Sequence, residues 1–107
     1  MKYITVAKTS QVPPSTTIVV DVEDDYDEYE ILIAHVAGDD FYAIDDLCTH
    51  DNGPLGDCDL EGATIECPRH GAKFDVRDGA ALTMPAIVPI STYPVRVVGD
   101  DIQIALP

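Results

Sequence analysis

The stretch CPRHGAKFD, residues 67–75, places a cysteine and a histidine two residues apart at a Gly-marked turn, which then opens into a β-type run. CTHDNG, residues 48–53, repeats the arrangement with one residue between Cys48 and His50. The chain has three cysteines and three histidines, so four of these six residues fall in two short segments. One thiolate and one imidazole from each of two segments is the donor set of a metal site built between loops.

What surrounds these segments determines the scaffold. FYAI (41–44) leads towards the first, and ATIEC (63–67) and AKFDV (72–76) flank the second. Further out, YITVA (3–7), TTIVVDV (16–22), EILIAHVA (30–37), YPVRVV (93–98) and DIQIAL (101–106) have the β-branched, partly alternating character of strands. Gly-Asp-Asp occurs at 38–40 and 99–101, each time between two such runs, which predicts hairpins. No segment of helical length shows helical periodicity. Many short strands without helical crossovers predict an all-β antiparallel sandwich or barrel. Residues 45–62 and 77–90 read as two long loops, the second fixed by Pro85 and Pro89.

Bulk properties narrow the function. A chain of 107 residues predicts a single domain. Twenty acidic against six basic side chains give a net charge of −14, which disfavours nucleic acid and anionic membrane surfaces. Such acidity suits either a soluble monomer or docking to a basic protein. The N-terminal sequence lacks an apolar run of signal-peptide length, and no later segment approaches the ~20 apolar residues of a membrane span. Three cysteines cannot pair completely, so a reducing cytoplasm with thiols serving as ligands is expected.

Written out, the donor pattern is C-x-H-x16-C-x2-H: Cys48, His50, Cys67 and His70. Tetrahedral zinc accepts two thiolates and two imidazoles. Zinc fingers, however, usually pair Cys with Cys, then His with His on a helix. One Cys and one His per loop suits a two-metal centre, in which one iron takes the thiolates and the other takes the imidazoles. That is the ligand chemistry of a Rieske [2Fe–2S] centre.

The two motifs resemble the two-part signature of the Rieske family. The resemblance extends through FYAIDDLCTH and GAALTMPAIVPISTYPVRV, similar to the family's entry hairpin and Pro-containing third loop. It implies a Rieske-type fold with a base sheet from residues 1–45 and 91–107, and a small cluster-binding subdomain of loops at about 46–90. It also implies one [2Fe–2S] cluster, with Cys48 and Cys67 on the inner iron and His50 and His70 on the outer. Gly53 and Gly71 would let the loops turn close to the cluster, and Pro85 would cover it. High-potential respiratory members carry an extra cysteine in each cluster loop, forming a disulfide; Gly53 and Arg69 occupy those positions here. Their serine and tyrosine, which donate to cluster sulfur, are replaced by Ala72 and Phe74. Asp51, Asp57, Asp59 and Asp75, if close to the cluster, would act in the same direction, with Arg69 opposing them. The expected reduction potential is therefore on the order of −150 to 0 mV.

With both irons fully ligated and only His35 left over, this chain alone would not be an enzyme. The resemblance implies a ferredoxin that takes electrons from a flavoprotein reductase and passes them to a terminal non-haem iron oxygenase. The rival is a small subunit fixed in a complex like NAD(P)H nitrite reductase, and an accessory role in iron–sulfur assembly or redox sensing is a third reading. Cys58 matches no ligand position, and His35, on a strand with Ile31 and Ile33, is expected to serve packing or surface. The acidic run DVEDDYDEYE (21–30) is expected to be a solvated connection between strands, with a docking patch for a basic reductase as its alternative.

Overall fold

A computed structural model describes residues 2–24, 27–38, 40–46, 59–67, 72–82 and 89–106. Their strands are β1 (Tyr3–Lys8), β2 (Thr16–Glu23), β3 (Glu28–Ala37), β4 (Asp40–Asp45), β5 (Asp59–Glu61), β6 (Thr64–Cys67), β7 (Ala72–Asp75), β8 (Thr92–Tyr93), β9 (Val95–Val98) and β10 (Asp101–Ala105). A 3-10 turn, Thr9–Gln11, follows β1. The expected all-antiparallel β architecture is present, resolved into three sheets ordered β1-β10-β9, β2-β3-β4-β8 and β5-β6-β7.

The middle sheet explains how the three fit together. Successive strand residues point to opposite faces, yet Ile31, Leu32, Ile33, Ala34 and His35 in β3 are all buried. Both faces of this strand are therefore covered. Ile31 and Ile33 join Ala7, Phe41, Ala43, Ile102 and Ile104 in one core, against β1 and β10. Leu32 and Ala34 join Ile44, Ile65, Phe74, Val76 and Ile90 in a second core, against β6 and β7. Fully burying a Leu, Ile or Phe side chain contributes about 1.5–3 kcal/mol, so each core holds its outer sheet to the middle one.

Both Gly-Asp-Asp segments are the predicted hairpin turns, with Gly38 at φ 53° and Gly99 at φ 61°. Three boundaries depart from expectation. First, the 45–62 loop ends early, because Asp59–Glu61 forms β5 in register with β6, Leu60 opposite Ile65. Leu60 packs against the second core, which recruits a short polar segment into a sheet. Second, the acidic run is mostly strand: Asp21, Val22 and Glu23 pair with Glu30, Tyr29 and Glu28. Only residues 24–27 connect them. Third, Pro94 separates β8, paired with β4, from β9, paired with β10. Lacking an N–H to donate, proline suits a point where the chain changes sheets.

His35 behaves as a packing residue. Its Nδ1 lies 2.7 Å from the Val12 carbonyl oxygen and its Nε2 lies 2.7 Å from that of Gly38. The ring stacks on Phe41 at 4.0 Å between centroids, with planes 19° apart. It braces the segment before β2 against the β3–β4 turn.

Candidate metal centre

Of the four candidate ligands, Cys67 is described in its backbone. It ends β6, opposite Ala72, the first residue of β7. The ladder runs Thr64–Asp75, Ile65–Phe74, Glu66–Lys73, Cys67–Ala72. His70 and Gly71 therefore belong to the four residues that join two paired strand ends. Cys48, His50, Gly53, Cys58, His70, Gly71 and Pro85 lie outside the described residues, as do Asp51, Asp57 and Arg69.

The described residues show where the segments with the candidate ligands are anchored. The first starts beyond β4. There Asp45 N–H donates to the Ser91 carbonyl at 3.0 Å and Asp46 N–H donates to that of Glu30 at 2.9 Å. The second is the β6–β7 connection. The stretch containing Pro85 leaves after Leu82, whose N–H donates to the Lys73 carbonyl at 2.8 Å. It returns at Ile90, whose N–H donates to the Gly79 carbonyl at 2.8 Å. Backbone hydrogen bonds thus tie these stems to β3, to β7 and to the turn at Gly79, and bind Asp45 of β4 to Ser91.

Phe74, expected next to the centre, is fully buried in the second core, two ladder steps from Cys67. An apolar ring here offers no hydroxyl donor, as the sequence implies. Asp75 modifies the electrostatic expectation. Arg77 Nη2 reaches its Oδ2 at 2.7 Å, Arg77 Nε reaches Oδ1 at 3.0 Å, and the Arg77 backbone N–H donates to Oδ1 at 2.9 Å. The guanidinium's hydrogen bonds hold the Asp75 carboxyl below the usual carboxylate range. Its charge is compensated locally, which leaves it a weaker lever on any nearby redox group. Asp59 stands exposed on β5.

Sequence reasoning missed an acidic groove of about 890 Å³ beside the first stem. Asp21, Glu23, Glu28, Glu30, Asp45 and Asp46 line it, together with Tyr29 and Tyr93. The tyrosines meet edge to face, with centroids 6.2 Å apart and planes at 84°. Tyr93 O–H donates to the Asp45 carboxylate. Burial, followed by that hydrogen bond, pushes the Tyr93 phenol well above the ordinary tyrosine range. The β4–β8 register, Ala43 opposite Tyr93, brings these groups together, and no motif signals it.

The donor chemistry fits a two-iron cluster: two thiols and two imidazoles, one of each in each segment. Comparisons with known proteins agree. The model of the Rieske [2Fe-2S] domain matches residues 2–94. The 3-phenylpropionate/cinnamic acid dioxygenase ferredoxin subunit of Shigella flexneri serotype 5b (strain 8401) is 39% identical over 108 residues, covering 100% of this chain and 96% of its own. The Sphingomonas yanoikuyae B1 ferredoxin superposes with a TM-score of 0.86 at 31% identity, over 99% of this chain and 100% of that one. A chain in the complex of reduced oxygenase and oxidised ferredoxin of carbazole 1,9a-dioxygenase gives a TM-score of 0.83 at 32% identity, over 96% of this chain and 92% of that one. Three stacked antiparallel sheets, a Cys/His pair in each of two segments, and likeness along the full chain make this protein a member of the Rieske [2Fe-2S] domain family.

Proposed function

We propose that this chain is a ferredoxin, without catalysis of its own, that delivers electrons one at a time to a terminal non-haem iron oxygenase. The observation that carries the reading is end-to-end likeness to ferredoxin subunits of dioxygenases, with all but 4% of the relative's length covered. A likeness to an oxygenase-bound ferredoxin supports the choice of acceptor. Cys48 and Cys67 would hold one iron, and His50 and His70 the other. The bound cluster supplies a one-electron redox couple and leaves no open metal position for substrate.

The chain's own residues do the holding and tuning. The β6–β7 ladder ends at the Cys67–Ala72 pair, and His70 belongs to the connection between these two strand ends. Phe74 keeps the base of that hairpin apolar. With no hydroxyl at Ala72 or Phe74, the potential sits towards the low end of the family's range, on the order of −150 to 0 mV. The sheet β5-β6-β7, which falls within residues 59–75, supports the division into a cluster-binding part at about 46–90 and a base of 1–45 and 91–107. A flavoprotein reductase is the proposed donor, docking transiently as small electron-transfer interfaces do. A cytoplasmic monomer is the proposed setting; no helix among the described residues is long and apolar enough to cross a membrane.

The test is an EPR spectrum of the dithionite-reduced protein, with iron and acid-labile sulfide assays on the same sample. A rhombic signal of low average g, with two irons and two sulfides per chain, is expected. An EPR-silent protein containing one zinc overturns the reading.

A further inference from the structure

Ile90 and Ser91 are adjacent in sequence, yet their backbone hydrogen bonds lead to different sheets. Ile90 N–H donates to the Gly79 carbonyl at 2.8 Å, and Gly79 N–H donates to the carbonyl of Asp75, the last residue of β7, at 2.7 Å. Ser91 accepts from the Asp45 N–H at 3.0 Å, at the end of β4. One side of this dipeptide therefore leads to the hairpin that carries Cys67 and His70. The other leads to the strand that enters the Cys48/His50 segment. The Ile90 side chain is buried in the core between the two, with Leu32, Ile44, Ile65 and Phe74.

Gly79 is the tightest point of the arrangement. A Cβ there would lie 2.0 Å from the Ile90 carbonyl oxygen and 3.0 Å from its carbonyl carbon, and φ is +77°. Both the space and the backbone conformation admit glycine alone. The turn below is itself secured, with Asp75 N–H donating to the Ala80 carbonyl at 2.9 Å and Ala80 N–H donating to Asp78 Oδ1 at 2.9 Å. No contact on that side can give way cheaply.

We propose that Gly79, Ile90 and Ser91 form a clip that fixes the spacing between the two ligand-bearing segments. Gly79 is then a positioning residue, acting through Ile90. The proposal rests on the assignment of Cys48, His50, Cys67 and His70 as ligands. It also answers a question raised by the sequence, where Gly53 and Arg69 exclude a disulfide between the segments. The clip does by backbone hydrogen bonding and exclusion of a Cβ what a covalent staple would do.

The experiment compares Gly79→Ala with Ile102→Ala in the cluster-loaded, full-length protein. Ile102 lies in the other core, which contains none of the clip's residues. Iron release to a chelator is followed by bleaching of visible absorbance at denaturant concentrations giving the two variants equal global stability. Gly79→Ala is expected to release iron at least about tenfold faster than Ile102→Ala and to shift the reduced EPR g values. Equal release rates with unchanged g values overturn the clip. If Gly79→Ala does not fold, hydrogen exchange on the unaltered protein decides the matter. Ile90 and Asp45 amides protected as strongly as those of Ile65 and Phe74 support the clip, and fast exchange at either overturns it. A protein without a [2Fe–2S] cluster sinks the ligand assignment instead, and the exchange rates still judge the clip.

Discussion

The two cores on either face of the middle sheet are built differently. The core shared with β1 and β10 is drawn mainly from regular strand positions: Ile31, Ile33, Phe41, Ala43, Ile102 and Ile104. The core shared with β6 and β7 also takes Val76 and Ile90, which lie outside strands at the stems of the turn and the third segment. The first core makes a stable wall. The second uses the same apolar burial to decide where functional segments leave that wall. Damage to the first should cost stability alone, whereas damage to the second should cost stability and disturb the metal centre.

The largest effect expected is at Phe74. Phe74→Ala should lower unfolding free energy by about 3–5 kcal/mol, and the protein should lose iron before its far-UV circular dichroism changes. Simultaneous loss of both signals would blur the contrast between the cores. Ile102→Ala should cost about 2–5 kcal/mol in a denaturant titration, yet leave the reduced EPR g values where they were. Any shift in them would mean that the middle sheet transmits strain.

A smaller change tests the far end of the wall. His35→Phe leaves the Val12 and Gly38 carbonyls without their ring partners, and an unmade buried hydrogen bond costs about 1–3 kcal/mol. Stability should fall while the midpoint potential stays constant. The smallest effect is the pH response of Asp75. Its carboxyl is held below the ordinary value by Arg77, so the folded state binds its proton less readily than the unfolded one. That stabilisation is present above the unfolded carboxylate range and is lost as pH falls through the lower folded value. Arg77→Gln should therefore flatten the stability profile slightly below about pH 4. An unchanged acid limb would show the pair to be inert.

Much of this was legible in the sequence, for reasons that particular residues make plain. Cys48, His50, Cys67 and His70 stand out as candidate ligands because metal chemistry demands fixed donor types at short spacings, and three of the four lie outside the described residues. The Gly-Asp-Asp hairpins are readable because turn geometry is local. β5 was not, since Asp-Leu-Glu has no strand character until Leu60 finds Ile65 across the ladder. The division of EILIAHVA between two cores was also hidden. A strand buried on both faces is continuously apolar, and its run does not say which residue belongs to which side. Gly79 does not stand out in the sequence, because the carbonyl that excludes its Cβ belongs to Ile90, eleven residues on.

The pairing of β1 with β10, Tyr3 opposite Ala105 and Lys8 opposite Asp101, bears on the order of events during synthesis. A ribosome releases β1 before β10, so β1 has no partner until residues 101–105 have emerged. By then all four proposed ligand residues have emerged. Pairings so distant in sequence close slowly, and until they do, Ile102 and Ile104 are missing from the core they share with Ile31 and Ile33. One of the two covered faces of the middle sheet therefore waits on the residues of β10.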